Sequence, residues 1–173
     1  MDLGSLENLI AYLDKGGLIV YILIGLNILG YTVMIWKLII IAITKGRKRS
    51  IIEKTLIFVN HNNRHFDRET LKNALDYELH KIEFGMSTVK IIASIAPLLG
   101  LLGTILGVSR AFEAISTGGL NDPSVFANGI SVALITTIVG LVVAIPHYIG
   151  YNYITGLIDS IEINLEREIL EHI

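Results

Sequence analysis

The groups in this chain that can do chemistry in an apolar setting are hydroxyls. Ser94 and Thr104 lie in one uncharged stretch, and Ser131, Thr136 and Thr137 lie in another. They fall on or beside stripes of small residues at helical spacing. The first stripe is Ala93, Ala96, Gly100, Gly103, Thr104, Gly107 and Ala111; the second is Gly129, Ala133, Thr136, Thr137, Gly140 and Ala144. A hydroxyl donates one proton and accepts through two lone pairs, so such a row could serve water or a moving proton. The same residues have a plainer use, since small side chains let membrane helices approach and Ser or Thr often bonds back to its own backbone. Pro97 and Pro146 each remove a helix hydrogen bond and mark bends or exposed carbonyls. His147 is the one side chain of these stretches that titrates near neutrality; it could relay protons, but its late position favours a seat at the membrane interface.

Other chemistries lack their residues. Cysteine is absent, which removes disulfides, thiolate metal sites and thiol nucleophiles together. His61 and His65 have i,i+4 spacing, yet they stand among Asn and Arg without further ligands, so a solvated turn is the better reading and no metal site is assigned. The run from Gly100 to Gly107 is not a phosphate loop, because no Lys follows the glycine and the run sits inside an apolar stretch. No nucleophile elbow or zinc-protease motif occurs, so the chain is not expected to be an enzyme or to carry a cofactor. Fourteen basic and sixteen acidic residues give a net charge of -2, too little positive field to hold nucleic acid.

The elements that position these hydroxyls are membrane helices. Of the 173 residues, 52% are hydrophobic and only 17% charged, and the mean hydropathy is +0.61, well to the apolar side of soluble proteins. Crossing a hydrocarbon core of about 30 Å takes roughly 20 apolar helical residues. Three stretches qualify: residues 18–43 with Asn27 the only strongly polar side chain before Trp36 and Lys37, residues 90–112, and residues 125–153. The acidic start, with Asp2, Glu7 and Asp14, is unlike a removable signal, so the first stretch is expected to remain as an anchor.

Residues 44–89 hold the basic cluster Lys45, Arg47, Lys48 and Arg49 and further Lys and Arg, whereas the hairpin at 113–124 has only Arg110 near it. Basic residues stay in the cytoplasm, which predicts N-out and C-in. Residues 1–17 read as an interfacial helix outside, with Gly118, Gly119, Asp122 and Pro123 forming the outer turn. In the cytoplasmic part, a short helix is expected around Ile51 to Val59, a polar turn at Asn60 to Arg64, and an amphipathic helix through Leu71, Leu75, Leu79, Ile82 and Met86. The period of Ile154, Ile158, Ile161, Leu165 and Ile169 carries a helix out of the third span through 154–173. The fold class is thus an all-α membrane protein with three transmembrane helices and cytoplasmic helical extensions. Neither the second nor the third span holds an Asp, Glu, Lys or Arg away from its edges, although ion paths normally need one. Either no proton is carried, or another chain brings a carboxylate.

The strings Ala-Ser-Ile-Ala-Pro-Leu-Leu-Gly-Leu-Leu-Gly-Thr-Ile-Leu-Gly (93–107) and Gly-Ile-Ser-Val-Ala-Leu-Ile-Thr-Thr-Ile-Val-Gly-Leu-Val-Val-Ala-Ile-Pro (129–146), followed by Tyr151 and Asn152, resemble the ExbB, TolQ and MotA proton-channel family. The resemblance implies a homopentameric ring in the bacterial inner membrane around an ExbD-like partner whose single span carries an Asp. The motor would act on a TonB-like protein for nutrient import, with the proton the only transported species. A TolQ-like role in envelope maintenance is the alternative within the family, and a passive membrane scaffold the alternative outside it. Three spans rather than four set the chain apart from MotA-type stators. The family's path-lining threonines fall on Thr104 and Thr137, with Thr136 an additional hydroxyl beside them. Many members carry a Glu where this chain has Val132, so no role of that Glu transfers.

Overall fold

The computed structural model describes residues 13–46, 80, 83–118 and 123–170. These form three long helices, α1 (Gly17–Gly46), α2 (Met86–Gly118) and α3 (Pro123–Leu170), with no strand among the described residues. The stretches Gly17–Ile43, Met86–Thr117 and Phe126–Leu165 are each long and apolar enough to cross a membrane. The shortest has 27 residues, about 40 Å at the helical rise, against a core of about 30 Å. Helix α2 runs six residues past position 112, taking in part of the expected outer turn. Residues 1–12 of the helix expected over 1–17, the helix expected at 51–59, the turn at 60–64, His61 and His65, and the helix expected through Leu71 to Met86 except for residues 80 and 83–86 lie outside the described residues.

Local chemistry sets the helix starts. Gly17 has φ +63° and Gly85 has φ +93°, a region that residues with a β-carbon rarely enter. Ahead of Gly17, the Gly16 N–H donates to the Leu13 carbonyl at 3.0 Å; at Gly85, the Phe84 N–H reaches the His80 carbonyl and the Thr88 N–H the Gly85 carbonyl. Pro123 opens α3, where its missing N–H would have had no helical acceptor. Pro97 and Pro146 lie inside helices that continue past them. Each still deprives one carbonyl, of Ala93 and of Val142 respectively, of its usual donor four residues on.

Two compact units divide the chain. The first comprises Met1–Tyr31 and Lys90–Tyr148. Its described core is Leu23, Ile92, Ala96, Val143 and Ala144, with Ile19, Leu26, Leu99 and Val139 packed on it. Between membrane helices the lipid tails are as apolar as these side chains, so close packing rather than the hydrophobic effect holds this core.

The second unit comprises Thr32–Val89 and Ile149–Ile173. Ile154, Ile158, Ile161 and Leu165 form its buried stripe on α3, at alternating steps of four and three, with Asp159 exposed between them. A β-carbon on Gly150 would run into the Met34 side chain, which marks where α1 and α3 touch. Trp36 and Lys37, neighbours at the end of the first span's apolar run, differ in setting. Trp36 is 64% exposed and Lys37 only 6%. The lysine stem lies beside Gly85, where a β-carbon would stand 3.7 Å from Cε.

Candidate functional site

Helices α2 and α3 meet backbone to backbone along the two small-residue stripes. A β-carbon placed on Gly140 would stand 2.7 Å from the Ala96 carbonyl oxygen, and one on Gly100 would stand 2.9 Å from that of Thr136. Further along, a β-carbon on Gly107 would approach the Gly129 carbonyl oxygen to 2.8 Å, and one on Gly129 would meet Ala111. As the α2 partners rise from Ala96 to Ala111, the α3 partners fall from Gly140 to Gly129, so the pair is antiparallel. Real β-carbons essentially never sit that close, so Gly or Ala at these positions is what permits this contact.

This register decides where each hydroxyl goes. Thr136 is fully buried and fills the notch left by Gly103, whose missing side chain would overlap it. Its hydroxyl donates within α3, to the Ala133 carbonyl at 2.9 Å and the Val132 carbonyl at 3.2 Å. The register thus turns Thr136 into the helix seam.

Thr137, the next residue, is half-buried. Its hydroxyl is shared between the Gly100 carbonyl on α2 and the Ala133 carbonyl on α3, both at 3.4 Å. Bonds of that length are weak. Thr104 stands one turn after Gly100 on α2, also half-buried, and donates to Leu101 at 2.5 Å. Positions i and i+4 share a helix face, so Thr104 and the α2 acceptor of Thr137 belong to one side of the hairpin. Ser94 is exposed and donates back to Lys90 at 2.9 Å; Ser131 is half-buried. Ala133 is buried in the seam, while Pro97 and Pro146 are half-buried.

What this hydroxyl face can do is bounded by its charges. From 91 to 109 on α2, and from the start of α3 to Asp159, the chain has no Asp, Glu, Lys or Arg. The threonines can exchange hydrogen bonds with water or a carboxylate, but they cannot hold a proton as a carboxylate does. No group of three or more His, Cys, Asp or Glu stands together among the described residues.

His147 lies within the helix packing of the first unit. It is fully buried, and its Nδ1–H donates to the Val143 carbonyl at 2.7 Å. The ring packs on Tyr31 with centroids 4.9 Å apart. Its Nε2 has no partner and lies against Gly30, where any β-carbon would collide with the ring. Asn27, one turn before Gly30 and Tyr31 on α1, likewise has a buried side-chain oxygen, Oδ1, without a partner. From the sequence alone Asn27 is only a polar exception in an apolar span. The signal that could have connected these residues is the Asn27, Gly30, Tyr31 spacing, which puts all three on one side of α1.

The chain is similar in sequence to known proteins. Over 102 residues the chain is 39% identical to a biopolymer transport ExbB homologue of Methanothermobacter thermautotrophicus, covering 59% of this chain and 36% of that protein. It is 35% identical over 107 residues to the exbB1 biopolymer transport protein of Vibrio cholerae, covering 59% of this chain and 47% of the relative. It is also 35% identical over 89 residues to the Tol-Pal system protein TolQ of Haemophilus influenzae, covering 51% of this chain and 39% of the relative. The matches thus span less than half the length of these relatives. A family model matches residues 43–167, which include all of α2 and nearly all of α3, and the chain belongs to the MotA/TolQ/ExbB proton channel family.

Proposed function

We propose that this chain is the channel subunit of a proton-driven motor in the bacterial inner membrane. Five copies, oriented N-out and C-in, enclose a single-span ExbD-like partner, and the partner brings the carboxylate that α2 and α3 lack. The complex transmits force to a TonB-like protein for nutrient import, the chain itself being no enzyme and holding no cofactor. The observation that carries this reading is the half-buried pair Thr104 and Thr137 on a face without an ionisable group. A carboxylate arriving there deprotonated accepts hydrogen bonds that a protonated one does not need. Each proton crossing 100 mV supplies about 2.3 kcal/mol, so several protons support one mechanical stroke.

A second reading is the Tol branch, a motor for envelope maintenance, because the TolQ of Haemophilus influenzae is as similar, at 35% identity, as the exbB1 protein of Vibrio cholerae. A passive scaffold fits less well, since packing alone does not call for a cross-helix hydroxyl at Thr137. The test is to purify the native complex in mild detergent, identify the co-purifying chains by mass spectrometry, and measure proton flux after reconstitution. An ExbD-like chain with a TonB-like protein supports the import branch, and a TolR-like and TolA-like pair supports the Tol branch. Absence of flux, or of any partner with an intramembrane Asp, overturns the motor reading.

A further inference from the structure

The first unit contains a cavity of about 440 Å³ between α1 and α3, unrelated to the threonine face. Leu13 and Ile135 stand at one end and Asn27 and Val143 at the other, with Ile24 and Val139 between them, and it opens sideways where Ile138 and Val142 are more than half exposed. From Ile135 to Val143 is about 12 Å along the helix axis. The volume falls within the range of about 300–1,000 Å³ typical of small-molecule sites.

Among the described residues the lining is hydrocarbon with one polar exception. The Asn27 Oδ1 is buried and has no hydrogen-bond partner. Val142, on the opposite wall, carries a carbonyl whose usual helical donor is missing because Pro146 has no N–H. Both are acceptors. Water is a poor occupant of such a space, since a buried water needs two to four polar partners and an apolar cavity stays dry. Among the described residues no ionisable side chain lines the walls, so a charged head group finds no counter-charge there.

We propose that this cavity binds an aliphatic amphiphile from the bilayer that ends in one uncharged O–H group. The hydroxyl donates to Asn27 Oδ1, the carboxamide N–H₂ returns a bond to the hydroxyl oxygen, and the alkyl chain fills the space toward Leu13 and Ile135. The proposal concerns a face other than the hydroxyl-bearing hairpin and does not depend on the function proposed above.

The test uses the full-length chain in lipid nanodiscs and an octanol carrying a photoreactive diazirine on its chain. Irradiation should label Ile138, Val139 or Val142, the labelling should saturate, and unlabelled decanol should compete it away. Asn27→Leu should raise the half-saturating concentration about tenfold, the size expected from losing one hydrogen bond. Val139→Phe, which fills the cavity from the other wall, should abolish the labelling and keeps the test decisive where the Asn27 variant does not fold. Non-saturating label spread equally over Leu98 and Ile105, which are exposed elsewhere, would overturn the proposal. So would absence of label accompanied by efficient disulfide crosslinking between copies through Val142→Cys. In this cysteine-free chain such crosslinking would mean that a second copy covers the cavity.

Discussion

The imidazole of His147 on α3 lies directly across the backbone of Gly30 on α1, filling the space that a side chain at position 30 would need. Position 30 is thereby limited to glycine by a residue more than a hundred positions away. Gly30→Ala should destabilise the folded chain by about 1–3 kcal/mol, the usual cost of overpacking. In Gly30→Ala/His147→Ala the penalty at position 30 should largely vanish. Denaturant titrations of the four proteins measure the coupling, and strict additivity would mean that the two residues do not touch in the membrane.

Glycines in this chain should divide sharply by position. Gly140→Val forces a side chain into the Ala96 carbonyl and should prevent α2 and α3 from associating, read as loss of folded protein in mild detergent. Gly25→Ala meets nothing within 4 Å and should be neutral or stabilise by up to about 1 kcal/mol through helix propensity. Equal damage from both would indicate that the α2–α3 contact is not what sets the stability.

The three threonines should separate stability from transport. Thr136→Val leaves volume unchanged but removes a buried hydroxyl already satisfied within its own helix, so it should cost about 1 kcal/mol or less of stability and spare proton flux. Thr104→Val and Thr137→Val should fold normally and lower flux in the reconstituted complex by about tenfold or more, on the scale of one lost hydrogen bond. Full flux in both would count against the proposed path.

Val132 and Arg110 line one small cavity of about 150 Å³ near the start of α1. A carboxylate at position 132 would therefore have a guanidinium within its surroundings. Val132→Glu should be tolerated in an otherwise unchanged chain. In an Arg110→Ala background it should cost about 3 kcal/mol, the insertion penalty of a charge at membrane depth. Folded yields of the single and double variants decide this; equal yields would exclude compensation by Arg110.

The three helices were legible because long uncharged runs bounded by Lys90, Arg110 and Asp159 leave little else for a chain to do. The small-residue stripes announced that α2 and α3 touch. What sequence could not give was the register. Thr136 and Thr137 are neighbours with the same chemistry to offer a proton, and only the fit of Thr136 into the Gly103 notch turns one inward and leaves the other half-buried. His147 was hidden for the same reason, since the seat that buries it is built by Gly30 and Tyr31 on another helix. Lys37 beside Gly85 repeats the point, because a glycine distant in sequence supplies the space that takes in the lysine stem.

Thr104, Thr136 and Thr137 all give their protons to carbonyls of α2 and α3. In this chain by itself these three hydroxyl protons are already engaged, so an arriving acceptor has to compete with a backbone carbonyl for each of them.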